Sequence, residues 1–105
     1  MNSPTNTNSS TNTNTQGANE VFIKGMAFSP VTLTVITSSA VKWTNKDGVT
    51  HTVTSGNAVF DSGNIQANGV YSYTFMNAGT FTYHCSIHPS MKATIVVNVP
   101  TPCVY

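Results

Sequence analysis

The sequence predicts an all-β protein, a sandwich or barrel built from short strands. Apolar and polar residues alternate in short runs along most of the chain. These runs are rich in β-branched and aromatic residues, and pairs of turn-forming residues separate them. No stretch has the periodicity of a long helix. Period-two patterning is typical of half-buried strands, so we expect about seven or eight strands in an antiparallel sandwich or barrel.

Five alternating runs carry this prediction. They span residues 31–35, 41–44, 71–75, 81–85 and 93–99. The turn signals between the runs are Ser29-Pro30, Asp47-Gly48, Ser55-Gly56, Ser62-Gly63, Asn68-Gly69 and Ala78-Gly79. The weakest pattern lies between Ser55 and Asn68, where the sequence predicts either a short strand or a turn of helix.

The composition excludes several classes of function. The 105-residue chain has 7% charged residues, a net charge of +1 and no arginine. Phosphate recognition depends on clustered Lys and Arg, so we expect no nucleic-acid binding. The acidic residues are Glu20, Asp47 and Asp61, which leaves few groups for acid–base or nucleophilic catalysis. We therefore expect no enzyme. No apolar run approaches the ~18 residues of a membrane span.

The composition changes near residue 20. Residues 2–16 are all Asn, Thr, Ser, Pro or Gln, and burying such side chains cannot offset the entropy of ordering the chain. We interpret residues 1–19 as a disordered tether, residues 20–99 as the folded domain and residues 100–105 as a C-terminal tail. Met1 is followed by polar residues instead of the apolar stretch of a signal peptide. We expect the mature form of an exported protein, which the tether can anchor.

A metal-binding pattern lies at the end of one predicted strand. Cys85, His88 and Met91 have the spacing Cys-x2-His-x2-Met, and His51 lies at the start of a strand earlier in the chain. A thiolate, two imidazoles and a weak axial thioether are the ligand set of a blue-copper site. Sulfur suits Cu(I) and imidazole suits both oxidation states, so this set holds either state with little rearrangement. The predicted metal ligands are His51, Cys85, His88 and Met91.

Other interpretations of the same residues remain open at this stage. Cys85 shares a strand face with Phe81 and Tyr83, so it could be a buried core thiol, or it could form a disulfide with Cys103. His51 could be an ordinary strand histidine. The disulfide would leave the ligand pattern that follows the cysteine unexplained. If Cys85 instead binds a metal, Cys103 is a free thiol, which we expect to be inert.

Further His and Met residues compete for ligand roles. His84 adjoins the cysteine, but strand alternation directs it to the opposite face of the sheet, so we interpret it as a polar strand residue. Met26 and Met76 compete with Met91 for the axial position. Both lie at strand ends, and we interpret them as fillers of the core or its rim.

The chain from about Val21 to Val99 resembles the plastocyanin-like cupredoxins, and within them the amicyanin group. Residues 83–91, which hold the Tyr-His-Cys, His-Pro and Met motifs, carry the resemblance together with residues 27–33, 41–45 and 51–53. The resemblance implies a Greek-key β-sandwich with one copper ion, cycling between Cu(I) and Cu(II). It also implies a type 1 copper protein that carries single electrons between redox partners.

Partners and location follow from the same resemblance. We expect redox protein partners that dock near His88, a monomer, no nucleic acid, no membrane span, and a periplasmic or extracellular location. Two alternative functions stay open. One is a copper-binding or delivery protein without a dedicated redox partner, and the other is a non-metal, disulfide-bonded sandwich module.

Three positions depart from the family pattern. Thr52 stands where members often carry an Asn that ties the two ligand loops together, and Thr50 stands where many have Pro. Ile87 replaces a Pro two residues after the cysteine and therefore has an N–H group. We expect this N–H to donate to the Cys85 sulfur and raise the reduction potential.

Overall fold

A computed structural model describes residues 19–100, which form eight strands. The strands are β1 (Glu20–Ile23), β2 (Phe28–Ser29), β3 (Thr32–Ile36), β4 (Ser39–Asn45), β5 (Thr54–Ser55), β6 (Val70–Phe75), β7 (Gly79–His84) and β8 (Lys92–Asn98). The predicted tether and tail lie outside the described residues, apart from Asn19 and Pro100. In residues 19–100 there is no helix with the length and hydropathy needed to cross a membrane.

The strands form two four-stranded sheets, which confirms the predicted all-β Greek-key sandwich. The orders are β2-β1-β4-β6 and β3-β8-β7-β5. The pairs β4/β6, β5/β7 and β7/β8 are antiparallel, as the sequence predicts. The pairs β1/β4 and β3/β8 are parallel, so the expectation of a wholly antiparallel sandwich is wrong. Period-two alternation reports which face of a strand is buried and carries no information on the direction of its neighbour.

The core lies between the two sheets and contains most of the predicted inward-facing side chains. Along β4, Val41 and Trp43 are fully buried while Lys42 between them is exposed. Trp43 contacts four aromatic rings at centroid distances of 5.6–6.5 Å, namely Phe60, Tyr71, Phe75 and Tyr83. Such ring pairs stabilise a core beyond the area they bury, so this cluster gives the two sheets a rigid contact.

The segment between Ser55 and Asn68 contains no helix and holds only short pieces of strand. β5 ends at Ser55, and the Ser55 Oγ accepts hydrogen bonds from the N–H groups of Val59 and Phe60, at 2.7 and 3.0 Å. The chain then turns back, and Phe60 and Ile65 enter the core at 4% exposure each. Isolated apolar residues in a turn-rich stretch give no period, so the sequence did not predict their burial.

Asn45, at the end of β4, connects the core to the end of the sandwich where the predicted ligands lie. Its side chain is fully buried, and Nδ2 donates to the carbonyls of Val49 and Ile65, both at 2.8 Å. Its Oδ1 accepts the N–H of Asp47 at 2.9 Å. Because a buried amide is stable only when its polar atoms are paired, these bonds set the path of the chain that leads to His51.

Gly69 packs against this region too closely to accept a side chain. A Cβ at this position would lie 2.9 Å from the Gln66 carbonyl oxygen and 3.0 Å from Ile65 Cγ2. We expect Gly69→Ala to lower the free energy of unfolding by about 1–3 kcal/mol, the usual cost of overpacking. Gly48→Ala is the matched control, because a Cβ there meets nothing within 4 Å, and its stability should equal or exceed wild type. Urea denaturation measures both, and equal stability of the two variants would contradict the steric argument.

Candidate metal centre

Three predicted ligands meet at one end of the sandwich although they come from distant parts of the chain. His51 is held by two backbone hydrogen bonds with Ile65, of 3.1 and 2.7 Å, that form an isolated antiparallel bridge. Cys85 follows the last residue of β7, and His88 lies in the loop between β7 and β8. One ligand atom from each of these three side chains lies within 4.8 Å of the other two.

The imidazole nitrogens of this cluster face the sulfur. The Cys85 Sγ lies 3.7 Å from His51 Nδ1 and 3.6 Å from His88 Nδ1. Cys85 and His51 are fully buried, whereas His88 is partly exposed. The cluster therefore has a shielded interior side and one imidazole that reaches the surface.

Met91 is placed beside the cluster by the backbone of the loop. Its N–H donates to the His88 carbonyl at 2.9 Å, and its carbonyl accepts the Cys85 N–H at 3.1 Å. Met91 is 5% exposed, while the competing Met26 and Met76 are 44% and 63% exposed. Of these three methionines, Met91 is therefore the buried one and is the one joined by backbone hydrogen bonds to Cys85 and His88; its role as the fourth ligand stays a prediction.

The surroundings of Cys85 stabilise its thiolate. Burial raises the pKa of the thiol, but the Thr52 N–H, the neighbouring His51 and His88 rings and the His88 backbone N–H outweigh burial and lower the pKa of Cys85 to about 6. Because the thiolate is the form that ligates metals, the site is prepared for binding at neutral pH. The described Cys85 thiol is free, and Cys103 lies outside the described residues.

Asp47 is part of the centre, although the sequence suggested only a turn at Asp47-Gly48. Its carboxylate lies 2.8 Å from His51 Nε2 and accepts the N–H groups of Gly25 and Met26 at 2.7 and 3.0 Å. Burial raises the pKa of Asp47, but these three partners outweigh burial and hold it below its ordinary value. A carboxylate on Nε2 keeps the proton there and leaves Nδ1 free to bind a metal. The sequence signal that could have revealed this role of Asp47 is the position of its carboxylate, four residues before the predicted ligand His51.

Thr52 ties the two ligand segments together, in the place where the family pattern often has Asn. Its Oγ1 accepts the Ser86 N–H at 2.8 Å, and its own N–H donates to the Cys85 Sγ at 3.3 Å. The sulfur therefore receives backbone N–H groups from Thr52 and His88. The expected hydrogen bond from Ile87 is wrong, because the Ile87 N–H is not among these donors.

His84 lies outside the cluster, as the strand alternation predicts. It is paired with Lys92 across β7 and β8, and it lines a groove on the outer face of that sheet together with Val31, Thr82 and Thr94. Cys85, the next residue along the chain, is fully buried. Side chains of adjacent strand residues point to opposite faces, so His84 cannot join the metal centre without a reversal of the strand.

The donor set fits a copper ion. One thiolate and two imidazole nitrogens converge at one end of the sandwich, and the buried Met91 follows in the loop that carries Cys85 and His88. Thiolate and thioether are ligands that favour Cu(I), and imidazole also suits Cu(II). The partner of His51 Nε2 and the donors to the sulfur provide the outer hydrogen bonds that metal sites of this kind require.

Sequence relatives agree with this centre. The cupredoxin-like domain family matches residues 4–97. Amicyanin from Paracoccus denitrificans is 34% identical over 87 residues, which cover 78% of this chain and 66% of that protein. Amicyanin-alpha from Methylorubrum extorquens is 36% identical over 87 residues, which cover 78% of this chain and 73% of that protein. The chain therefore spans about two thirds to three quarters of these relatives.

Solved structures of copper proteins also resemble this fold. A Cu(I) form of a variant amicyanin has a TM-score of 0.72 and 32% identity, covering 80% of this chain and 85% of that one. A copper-containing nitrite reductase from Thermus scotoductus has a TM-score of 0.73 and 26% identity, covering 78% of this chain but 22% of the reductase. With a family match along most of its length, a two-sheet sandwich and a Cys-His-His cluster at one end, the chain belongs to the cupredoxin family.

Proposed function

We propose that this protein binds one copper ion through His51, Cys85, His88 and Met91 and carries single electrons between redox partners. The convergence of His51 Nδ1, Cys85 Sγ and His88 Nδ1 within 4.8 Å of one another carries the proposal. The similarity to amicyanins supports it. A copper ion at this position supplies the one-electron couple, Cu(I)/Cu(II).

The protein's own contribution is to hold the ligand atoms still. Cys85 binds as a thiolate, stabilised by N–H groups that point at its sulfur. His51 is held at both ends, by its backbone bridge to Ile65 and by the Asp47 carboxylate on Nε2. Ligands that are held in one geometry move little when the metal changes its oxidation state, so an electron can arrive or leave with little reorganisation.

Electrons would leave through His88, the ligand that reaches the surface. Its neighbours along the chain are uncharged, and Ile87, Pro89 and Ser90 are all exposed. We infer that redox proteins dock on this neutral face, with little long-range steering because the chain has few charges. We also propose a monomeric domain over residues 20–99, exported to the periplasm or cell exterior, with residues 1–19 as its tether.

Two alternatives remain to be separated from electron transport. A copper-delivery protein would use the same ligands, but it would release the metal instead of cycling it. The nitrite reductase neighbour is a copper-containing enzyme, so related domains occur within enzymes. In residues 19–100, His, Cys and acidic side chains form one potential metal cluster, at His51, Cys85 and His88, which favours a carrier over an enzyme that needs further metal ions.

The first test is the visible absorption spectrum after addition of Cu(II). We expect an intense sulfur-to-copper charge-transfer band, blue or green, because a thiolate ligand donates charge to Cu(II). Cys85→Ser should abolish the band. Met91→Leu should keep the band and shift its position, since the axial ligand tunes the copper. Met76→Leu is the matched control, because Met76 is 63% exposed, and it should give the wild-type spectrum.

The outcomes test the copper centre and separate electron transport from copper delivery. A colourless wild-type protein, or a band that survives in Cys85→Ser, would rule out the proposed copper centre. A band that bleaches irreversibly on reduction, with release of Cu(I), would favour delivery over electron transport. Reversible cycling through many rounds of reduction and oxidation is the result expected of a carrier.

Removing Asp47 should weaken copper binding, because His51 would lose the partner that orients its ring. We expect Asp47→Ala to lower copper affinity about 10–100-fold, the usual effect of losing such a partner. Asp47→Asn retains an acceptor oxygen and should lose less. Glu20→Gln is the charge-matched control, since Glu20 pairs with Lys42 at the start of β1. Competition with a chelator measures the affinities, and wild-type binding by Asp47→Ala would contradict the orienting role.

Electron exchange between two copies of the protein should depend weakly on salt. The net charge is +1 and the face around His88 is neutral. We expect the self-exchange rate constant to change less than about threefold between about 10 and 200 mM salt. Ser90→Lys, which adds a charge beside His88, should make the dependence steeper. NMR line broadening in Cu(I)/Cu(II) mixtures measures the rate, and a steep dependence in the wild type would contradict docking on the neutral face.

A further inference from the structure

A row of hydrogen-bonded side chains leads from the cysteine loop to the protein surface. Ser86 Oγ lies 3.0 Å from Thr52 Oγ1, and Thr52 Oγ1 lies 3.0 Å from Thr54 Oγ1. Thr54 Oγ1 donates to the Asp61 carboxylate at 3.2 Å. Thr52 is 3% exposed and Thr54 is partly buried, while Ser86 and Asp61, at the two ends of the row, are exposed. The row therefore joins the cysteine loop to a surface carboxylate through the buried hydroxyl of Thr52.

The carboxylate at the outer end decides the direction of every bond in this row. Asp61 can only accept, so the single proton of Thr54 goes to it. Thr54 must then accept from Thr52, which uses the single proton of Thr52. Thr52 must in turn accept from the Ser86 hydroxyl. Three hydroxyl groups that could otherwise rotate freely are therefore held in one orientation by one surface charge.

Thr52 is the residue on which this orientation acts. The Thr52 hydroxyl donates its proton in a hydrogen bond to Thr54. Both lone pairs of Thr52 Oγ1 then accept hydrogen bonds, one from the Ser86 hydroxyl and one from the Ser86 N–H at 2.8 Å. The Thr52 N–H donates to the Cys85 Sγ at 3.3 Å. One side chain thus fixes the donor to the sulfur and the residue that follows the cysteine.

The strand segment at Asp61 does not need the Thr54 hydroxyl to stay in place. Asp61 Oδ1 also accepts the Gly63 N–H at 3.0 Å. Val53 and Ser62 are joined by two further bonds, Val53 N–H to Ser62 Oγ at 2.7 Å and Ser62 N–H to the Val53 carbonyl at 2.9 Å. These bonds hold the loop without the bond from Thr54 to Asp61. The effect that we assign to the Thr54–Asp61 bond is therefore the orientation of Thr52.

We propose that Thr54 and Asp61 are positioning residues for the cysteine ligand, acting through Thr52 on the hydrogen bond to the Cys85 sulfur. This inference depends on the copper centre proposed above only for its effect on the metal. The effect on Thr52 and Ser86 belongs to the protein itself and is present without metal. Hydrogen bonds to a ligating sulfur tune the potential of its metal, so a surface carboxylate three side chains away sets part of that potential.

The first experiment uses the metal-free protein and measures amide hydrogen exchange by NMR. Thr54→Val keeps the shape and removes the hydroxyl, while Thr54→Ser keeps the hydroxyl. Loss of one net hydrogen bond should make the Thr52 and Ser86 amides exchange about three- to tenfold faster in Thr54→Val. In Thr54→Ser they should remain as in the wild type. Thr80→Val is the control, because Thr80 is an exposed residue on β7 of the same sheet.

The exchange rate of a core amide, such as that of Ile95, distinguishes a specific effect on Thr52 from a general loss of stability. This core amide should exchange at the wild-type rate in every variant. Equal acceleration of Ile95 and Thr52 in Thr54→Val would overturn the proposal, as would no change at Thr52. Asp61→Asn, which keeps an acceptor oxygen, should preserve Thr52 protection, and Asp61→Ala should lose it. The same protection in Asp61→Ala as in the wild type would overturn the role of the carboxylate.

The second experiment uses the copper-loaded protein. Thr54→Val should shift the reduction potential and the charge-transfer band, and Thr54→Ser should return both to the wild-type values. A potential and band identical in the wild type and Thr54→Val would overturn the effect on the metal. A wild-type protein that gives no charge-transfer band would instead overturn the copper centre, while the metal-free exchange result would still decide the positioning of Thr52.

Discussion

The centre depends on a buried sulfur that receives hydrogen bonds from two separate segments of the chain. The Cys85 thiol is fully buried, and an ionised group in such a place is stable only when donors compensate for its loss of water. Thr52 supplies one N–H from the segment that carries His51, and His88 supplies another from the cysteine's own loop. The thiolate that binds the metal is thus stabilised by the same bonds that bring the two ligand segments together.

The outer hydrogen bonds around this sulfur connect it to the sandwich. Asp47 orients His51, and Asp47 is itself held by two backbone N–H groups of the turn between β1 and β2. Met26 in that turn has a left-handed backbone, with φ of 60°, a conformation that costs ~1–2 kcal/mol for a residue with a Cβ. Charge-assisted hydrogen bonds to the carboxylate offset this cost. The orientation of His51 is therefore supported by the β2-β1-β4-β6 sheet, whereas Cys85 follows β7 of the other sheet.

The chain has few charged residues, and two of them orient hydrogen-bonding side chains near the predicted ligands. Two of its three acids, Asp47 and Asp61, contact the network around the ligands. Each accepts several hydrogen bonds and donates none, so each imposes a direction on its partners. The residues that flank His88 in its loop, 86–91, carry no acidic or basic side chain besides His88 itself. Carboxylates are thus used to orient side chains around the ligands.

The sequence by itself determined five of the eight strands, β3, β4, β6, β7 and β8, and the ligand loop, because both are local. Alternation along the chain places Tyr83 and Cys85 on the buried face and His84 on the outer face, and the Cys-x2-His-x2-Met spacing is complete within seven residues. Tertiary structure alone decided the parallel strand pairs and the donors to the sulfur. The link from Thr52 to Ser86 joins residues 34 positions apart, and no local periodicity encodes such a contact. For the same reason the sequence pointed to Ile87, an N–H close to the cysteine along the chain, and missed Thr52, whose N–H is 33 positions away in sequence and 3.3 Å from the sulfur.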